Sequence, residues 1–393
     1  MREQALTIVL LNRFYAPDVS ATAQLLTDLA EGLAGEGHAV TVVTSRLLYE
    51  DPKARLPARE ERAGVRIRRV WTSRFGRRNL LGRAVDYASF YLSATLALLA
   101  EARRGDAIVA MTDPPLVSVP AALVAALRGC RLLLWCQDLF PEVAAAHGLA
   151  FARGPLGRLL RALRDLSFAR AERIVAIHPT MAEKLRTLGV PEEKLAVVEN
   201  WAPAGIRPIP HEENPLRREW GLQGEFVVAY SGNLGRVHDP EAVIDLVRRT
   251  AGRGITWLFV GGGAGMEKLK RVVAEEKLPD VQFRPYQPRE RLSESLSVAD
   301  VHLVSLDPKF EGLVYPSKVY GIRAAGRPLL WLRPGLRVED LRAAGEIAHL
   351  ERSSEGGGGF LREANSNTLP RLFRSVHSCG ELHAFLVNTA KSI

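Results

Sequence analysis

Short runs rich in Val, Ile and Leu recur along this chain. Each is followed by a longer stretch whose apolar residues return at helical spacing, and this alternation restricts the fold more than any other feature. Residues 7–11, 39–44, 65–70, 107–111, 131–135, 173–177 and 195–198 read as strands, because parallel strands buried on both faces are short, near-continuous apolar runs. Between the first two lies AQLLTDLAEGLAGEGH, with Leu25, Leu26, Leu29, Ala30 and Leu33 on one helical face and Gly37 as its stop. Strand, crossover helix and parallel strand make a right-handed unit. Repetition of that unit gives an α/β protein.

The proline-rich stretch 200–215 has no apolar periodicity and interrupts the winding. Strands resume at 226–231, 256–260, 281–284, 301–306 and 329–332. A chain of 393 residues accommodates two domains of ordinary size, expected at 1–203 and 204–368. Segment 353–360 contains four consecutive glycines and the periodicity beyond it is weak. A final helix over 369–386 is expected, packing back on one of the halves, and residues 369–393 would complete the first.

Three cysteines, Cys130, Cys136 and Cys379, fit no metal-ligand spacing, and an odd number argues against a disulfide framework; a reducing cytoplasm and no metal or cofactor are expected. The N-terminus lacks a signal-peptide cleavage pattern, and the most apolar stretches, 88–100 and 116–127, are too short to span a bilayer. A formal charge of +9 favours acidic partners. Nucleic acid is set aside, because no helix-turn-helix, zinc or RNA-binding signature is present. Phosphorylated substrates and anionic lipid remain.

Four segments place small or charged residues where a strand ends and a helix begins, the position at which phosphates bind in such sheets. After the first strand, RFYAPDVSATAQLL puts Ser20 and Ala21 at a helix start, where Ser20 is equally suited to capping. In the second half, YSGNLGRVHD carries Asn233, Arg236 and His238, and FVGGGAGMEKLK carries Gly261, Gly262 and Gly263, for which a simple tight turn is the commoner explanation. In FEGLVYPSKVYGIRAAGRPLL, Glu311, Tyr315, Pro316, Ser317 and Lys318 precede or open a helix, so hydroxyl, ammonium and helix dipole can converge on a diphosphate.

These segments, together with LLLWCQDLFPE in the first half, resemble family 4 glycosyltransferases of the GT-B fold, in collinear order over about residues 5–345. Within the family the chain is most similar to bacterial members of the WbuB and WcaI type, which build O-antigen, colanic acid and other exopolysaccharides. The resemblance implies two Rossmann-like domains facing across a cleft. It also implies a retaining, metal-independent hexosyl- or N-acetylhexosaminyl-transferase, with nucleotide-sugar bound to the C-terminal domain and acceptor to the N-terminal one. UDP is the expected base and a polyprenyl-diphosphate-linked saccharide the expected acceptor. Lys318 and Ser317 match the family's phosphate-facing Ser-Lys, and Ser20 and Ala21 stand where the family often has Gly-Gly.

Some positions depart from the pattern. Gly321 stands where the second of the family's paired glutamates usually falls, which leaves Glu311, in shifted register, as the carboxylate nearest the donor sugar. Asn233 and His238 replace the usual cations of the first C-domain turn, leaving Arg236. Asp138 and Glu142 resemble the acceptor-side acidic motif, one of them orienting or deprotonating the acceptor hydroxyl, with a helix-capping role for Asp138 as the alternative. His178, in AIHPT, reads as a loop or packing histidine and not as a catalyst.

Arg74, Arg77, Arg78 and Arg83 flank Phe75, Leu80 and Leu81, while Arg153, Arg158, Arg161 and Arg164 alternate with Leu156, Leu159, Leu160 and Leu163. Each alone reads first as an ordinary surface helix with solvated arginines, but the two together, in the acceptor half, suit the anionic inner face of the cytoplasmic membrane. Two other functions fit the sequence: a GT-B-fold UDP-N-acetylglucosamine 2-epimerase-like enzyme, and a nucleotide-binding regulatory protein without turnover.

Overall fold

The computed structural model describes residues 5–51, 53–76 and 80–345, together with 382, 384, 385, 387 and 389. The chain divides into two compact units. The first holds an eight-stranded sheet of β1 (Thr7–Leu11), β2 (Ala39–Ser45), β3 (Arg59–Arg62), β4 (Val65–Val70), β5 (Ala107–Ala110), β6 (Arg131–Cys136), β7 (Arg173–Ala176) and β8 (Leu195–Val197). Its order is β3-β4-β2-β1-β5-β6-β7-β8, parallel except where β3 runs antiparallel to β4. The helices around it are α1 (Ala21–Gly35), α2 (Leu80–Glu101), α3 (Ser118–Arg128), α4 (Glu142–Ala146), α5 (Ala150–Arg153), α6 (Pro155–Arg170) and α7 (Pro179–Thr187).

Each expected strand of this half is present within a residue or two, because the apolar runs are what the two helical layers cover. Ile8, Leu10, Val42, Ile108 and Leu132 are all within 1% of complete burial. β3 is the exception. Its sequence, REER, is exposed throughout and pairs only at the sheet edge, so no hydrophobic pattern announces it. α1 buries the expected stripe of Leu25, Leu26, Leu29, Ala30 and Leu33.

The second unit has a five-stranded, wholly parallel sheet of β9 (Val227–Asn233), β10 (Thr256–Gly262), β11 (Val281–Arg284), β12 (Val301–Val304) and β13 (Leu329–Trp331), in the order β11-β10-β9-β12-β13. Its helices are α8 (Pro215–Glu219), α9 (Pro240–Thr250), α10 (Ala264–Glu276), α11 (Leu292–Ser297) and α12 (Lys318–Ala324). Tyr230, Trp257 and Phe259 form its buried aromatic centre, with the Trp257 and Phe259 rings stacked 5.9 Å apart.

The first unit ends at Trp201, and Glu311–Tyr315 group with it although the flanking residues belong to the second unit. The uninterrupted 204–368 stretch expected from the sequence is therefore broken by a short return to the first unit. Glycines 356–359 lie outside the described residues, as does most of the expected 369–386 helix. Leu382, Ala384 and Phe385, which are described, are helical, and Leu382 is buried in the first core.

Candidate functional site

In the second unit the winding reverses between β9 and β12, and ligands of open α/β sheets collect at such switch points, beyond the strands' carboxyl ends. The loops after these two strands are tied together. The Asp239 N–H donates to Ser305 Oγ (3.0 Å), the Asp307 N–H to the Val237 carbonyl (2.9 Å), and His238 Nδ1 bonds the Ser305 carbonyl. Burial first, and then positive Lys318, push the His238 pKa down to about 4, so near pH 7 the ring is neutral and its Nδ1–H is the donor. His238 thus braces the loops. The start of α9, expected to meet an anion, already holds a carboxylate, since Asp239 accepts from the Ala242 N–H at 3.0 Å. Asn233, the last residue of β9, and Arg236, in the loop after it, are exposed.

Lys318 opens α12 and reaches back under this loop. Its Nζ lies 3.4 Å from the centroid of the Tyr230 ring, and the methylene and ammonium end of the side chain also runs along Gly232. The nitrogen is enclosed and has no hydrogen-bond partner among the described residues. Desolvation by burial holds its pKa well below the ordinary lysine value. The Tyr230 ring supplies a π-face in place of a carboxylate. Sequence reasoning places Tyr230 in a strand and gives it no role at the site.

The glycines have a close-packing duty. Gly261 pairs with Gly232 across β10 and β9, and a Cβ at Gly261 would lie 2.4 Å from the Gly232 carbonyl oxygen. At Gly263, with φ +113, a Cβ would come 2.1 Å from Asn233 Oδ1. Gly262 has more room, its nearest neighbour being the Tyr286 ring at 3.5 Å. Ser317 caps α12 by position, is exposed and makes no side-chain capping bond, while Pro316 is buried. Glu311 is exposed, and Tyr315 stacks on His178 at 4.1 Å, both within the first unit. His178 also caps α7 by accepting from the Thr180 N–H.

In the first unit the switch point falls between β1 and β5. Ser20 precedes α1 without capping it: its Oγ is buried with no partner among the described residues, and its N–H donates to Asp18 Oδ1 at 2.8 Å. The capping alternative is therefore not what the side chain does. Ala21 is the exposed first residue of the helix.

Asp138 follows β6 and pairs in an antiparallel bridge with Val314. It does not cap a helix, since α4 begins at Glu142 behind Pro141. Burial, outweighing a hydrogen bond from Thr112, raises its pKa to about 7. Its carboxyl borders a small cavity of about 20 Å³ shared with Thr112, Ser118, Cys136 and Arg164, room for about one water. Glu142 is ion-paired with Arg164, the two side chains being 15% and 4% exposed. This overturns the reading of Arg164 as part of an exposed basic stripe: its guanidinium is drawn inward by Glu142 and covers the Phe168 ring.

Residues 21–201 match the family model of the glycosyl transferase 4-like domain. That segment is a glycosyl transferase 4-like domain. The chain is 28% identical over 252 residues to the "Probable glycosyltransferase WbjE" of Pseudomonas aeruginosa, a match covering 63% of this chain and 62% of that one. It therefore spans less than two thirds of that relative. Against the "Putative colanic acid biosynthesis glycosyl transferase WcaI" of Escherichia coli K12 the identity is 28% over 332 residues, 79% of each chain. Among solved structures, the lipopolysaccharide-biosynthesis glycosyltransferase WaaG superposes with a TM-score of 0.63 at 13% identity, covering 96% of this chain and 99% of that one. Anabaena HepE in complex with UDP and glucose gives 0.59 at 14% identity, covering 83% and 80%. These likenesses agree with the GT-B fold expected from the sequence.

Proposed function

We propose that this protein moves a sugar from a UDP-sugar to a lipid-diphosphate-linked saccharide, with retention and without a metal, in the synthesis of a cell-surface polysaccharide. One observation carries the reading: the enclosed Lys318 ammonium, unpartnered by any acceptor among the described residues, at the carboxyl-terminal edge of the second sheet. As the bond from the anomeric carbon to the diphosphate lengthens, negative charge grows on the leaving oxygen. A desolvated cation gains most from that charge, so Lys318 binds the transition state more strongly than the ground state. The exposed Arg236 and Ser317 add contacts to the same anion, with Asn233, Gly262 and Pro316 shaping its surroundings. HepE, whose complex contains UDP, supports uridine as the base.

The first unit takes the acceptor. Asp138, with a pKa near 7, is suited to orient the acceptor hydroxyl or accept its proton. Ser20 and Ala21 offer an uncapped hydroxyl and a helix start on the same edge of the sheet. Glu142 acts through Arg164 as a support, and Glu311 and Tyr315 serve the acceptor side, since they belong to this unit. No described helix is long and apolar enough to cross a membrane. The lipid-linked acceptor is reached instead from the bilayer surface. Leu81, Leu92 and Leu96 form an exposed stripe on α2, and Leu123 and Leu127 extend it onto α3, which packs against α2.

Incubation with a panel of UDP- and GDP-sugars tests the proposal. Slow release of UDP, accelerated by a polyprenyl-diphosphate saccharide and indifferent to EDTA, is expected. Tight binding with no turnover even when acceptor is supplied would sink it.

A further inference from the structure

We infer that Arg13, at the switch point of the first sheet, is the residue that takes the diphosphate of a polyprenyl-linked acceptor; this rests on the proposed transfer to a lipid-diphosphate saccharide. Arg13 follows β1, and its backbone is fixed from both sides. Its N–H donates to the Asp113 carbonyl (2.7 Å), in the loop after β5, and its carbonyl accepts from the Ser45 N–H (3.0 Å) and Thr44 Oγ1 (2.9 Å). The residue is only 9% exposed, yet no hydrogen bond or ion pair holds its side chain among the described residues, and its Nε is enclosed without a partner. What surrounds the guanidinium is aromatic: its central carbon lies 5.2 Å from the Phe14 ring centroid and 5.0 Å from that of Tyr87 on α2.

A buried cation without a carboxylate is costly, and two ring faces offset only part of that cost. The arrangement is economical if an anion completes it. Arginine's planar fork suits two oxygens of a phosphate, and the rings that flank it fix its plane beforehand. The position agrees with that ligand. Phe14 packs with Ala23 in the first turn of α1, so Arg13 lies beside a helix start whose Ser20 hydroxyl is also enclosed and unpartnered. No acidic residue lies in the first turn of α1, and the nearby Asp18 carboxylate is already spent on the Ser20 and Tyr49 N–H groups.

The test measures equilibrium binding of farnesyl diphosphate, inorganic pyrophosphate and UDP to the full chain and to Arg13→Gln, Arg13→Lys and Tyr87→Leu. Farnesyl diphosphate should bind Arg13→Gln about tenfold to a hundredfold more weakly than wild type, with a smaller loss in Arg13→Lys and Tyr87→Leu. If pyrophosphate weakens equally, the site reads the diphosphate alone; if only farnesyl diphosphate weakens, it requires the prenyl chain, and either result supports the inference. An affinity for farnesyl diphosphate unchanged in a folded Arg13→Gln would overturn it. Should Arg13→Gln lose its cooperative melt, Arg13→Lys decides, and an unchanged affinity there overturns it as well. Wild-type binding of UDP reports separately on the donor reading, so the two can fail independently.

Discussion

Lys318 Nζ and the ring of Tyr230 stand 3.4 Å apart, centroid to nitrogen, with no acceptor among the described residues completing the ammonium's hydrogen bonds. That relationship implies a trade between stability and catalysis. An unpaired buried cation destabilises the resting protein, and an apolar side chain of similar length removes the penalty. Lys318→Met should therefore melt at the same temperature as wild type or higher, while kcat/KM for a nucleotide-sugar falls about a hundredfold to a thousandfold. Thermal denaturation alongside steady-state kinetics checks both halves. A variant that loses stability and keeps its rate would show Lys318 to be a packing residue.

Asp138 gives the first unit a pH dependence of definite sign. Its pKa, raised by burial to about 7, exceeds the unfolded value of about 3.9, so the native state holds the proton over that interval. The resulting stability is fully present below about pH 4 and is lost as pH rises through about 7. Asp138→Asn mimics the protonated form and lacks the titration. Relative to that variant, wild type should lose on the order of 3 kcal/mol between pH 4 and 8, read from urea midpoints. Parallel stability curves for the two proteins would refute a buried, proton-holding Asp138.

Glu142 and Arg164 separate a structural from a catalytic role. Removing Glu142 alone leaves the 4%-exposed Arg164 side chain without its main counter-charge, although Asp165 still reaches it from the exposed side. Glu142→Ala should cost about 3 kcal/mol in denaturant unfolding, and Glu142→Leu combined with Arg164→Met should recover most of it. The rate per folded molecule should change little in either. A large fall in kcat with unaltered stability would restore Glu142 as a catalyst.

The contrast between what the sequence discloses and what it hides is physical. Strands such as Val65–Val70 are legible because burial of both faces writes itself as an apolar run, whereas Arg59–Arg62 needs only an edge partner and carries no such mark. Ser317 and Lys318 are legible as a motif, since two residues and a following glycine share one short segment. Arg13 is not. Its burial comes from Tyr87, which only the tertiary fold brings to it, and RFY at the end of a strand has no period to betray it. Arg164 misleads for the same reason: helical spacing puts it among solvated arginines, and Glu142 turns it inward. The return of Glu311–Tyr315 to the first unit likewise depends on contacts of distant segments, among them the bridge from Asp138 to Val314.

These corrections change what membrane attachment should look like. With Arg164 buried and Arg161 bonded to the Ala152 carbonyl, α6 offers fewer free cations than its sequence suggests, and Arg77 and Arg78 lie outside the described residues. The exposed leucines are more prominent: Leu81 is 82% exposed and Leu92 66%, while Leu159 and Leu166 stand out on α6, itself packed against α3. Each leucine transferred into the acyl boundary contributes about 1.5 kcal/mol or more, and that term is insensitive to salt, whereas the arginine contribution is screened within about 10 Å at 0.1 M. Binding to vesicles containing phosphatidylglycerol should therefore weaken about tenfold between 50 mM and 500 mM salt without vanishing. Leu92→Asp with Leu96→Asp should remove the salt-resistant part and leave the melting temperature unchanged, because both side chains are solvent-exposed. Vesicle flotation at the two salt concentrations measures the outcome. Complete loss of wild-type binding at high salt would mean that charge alone holds the protein to the surface, and equal binding of the double variant would mean that another face makes the contact.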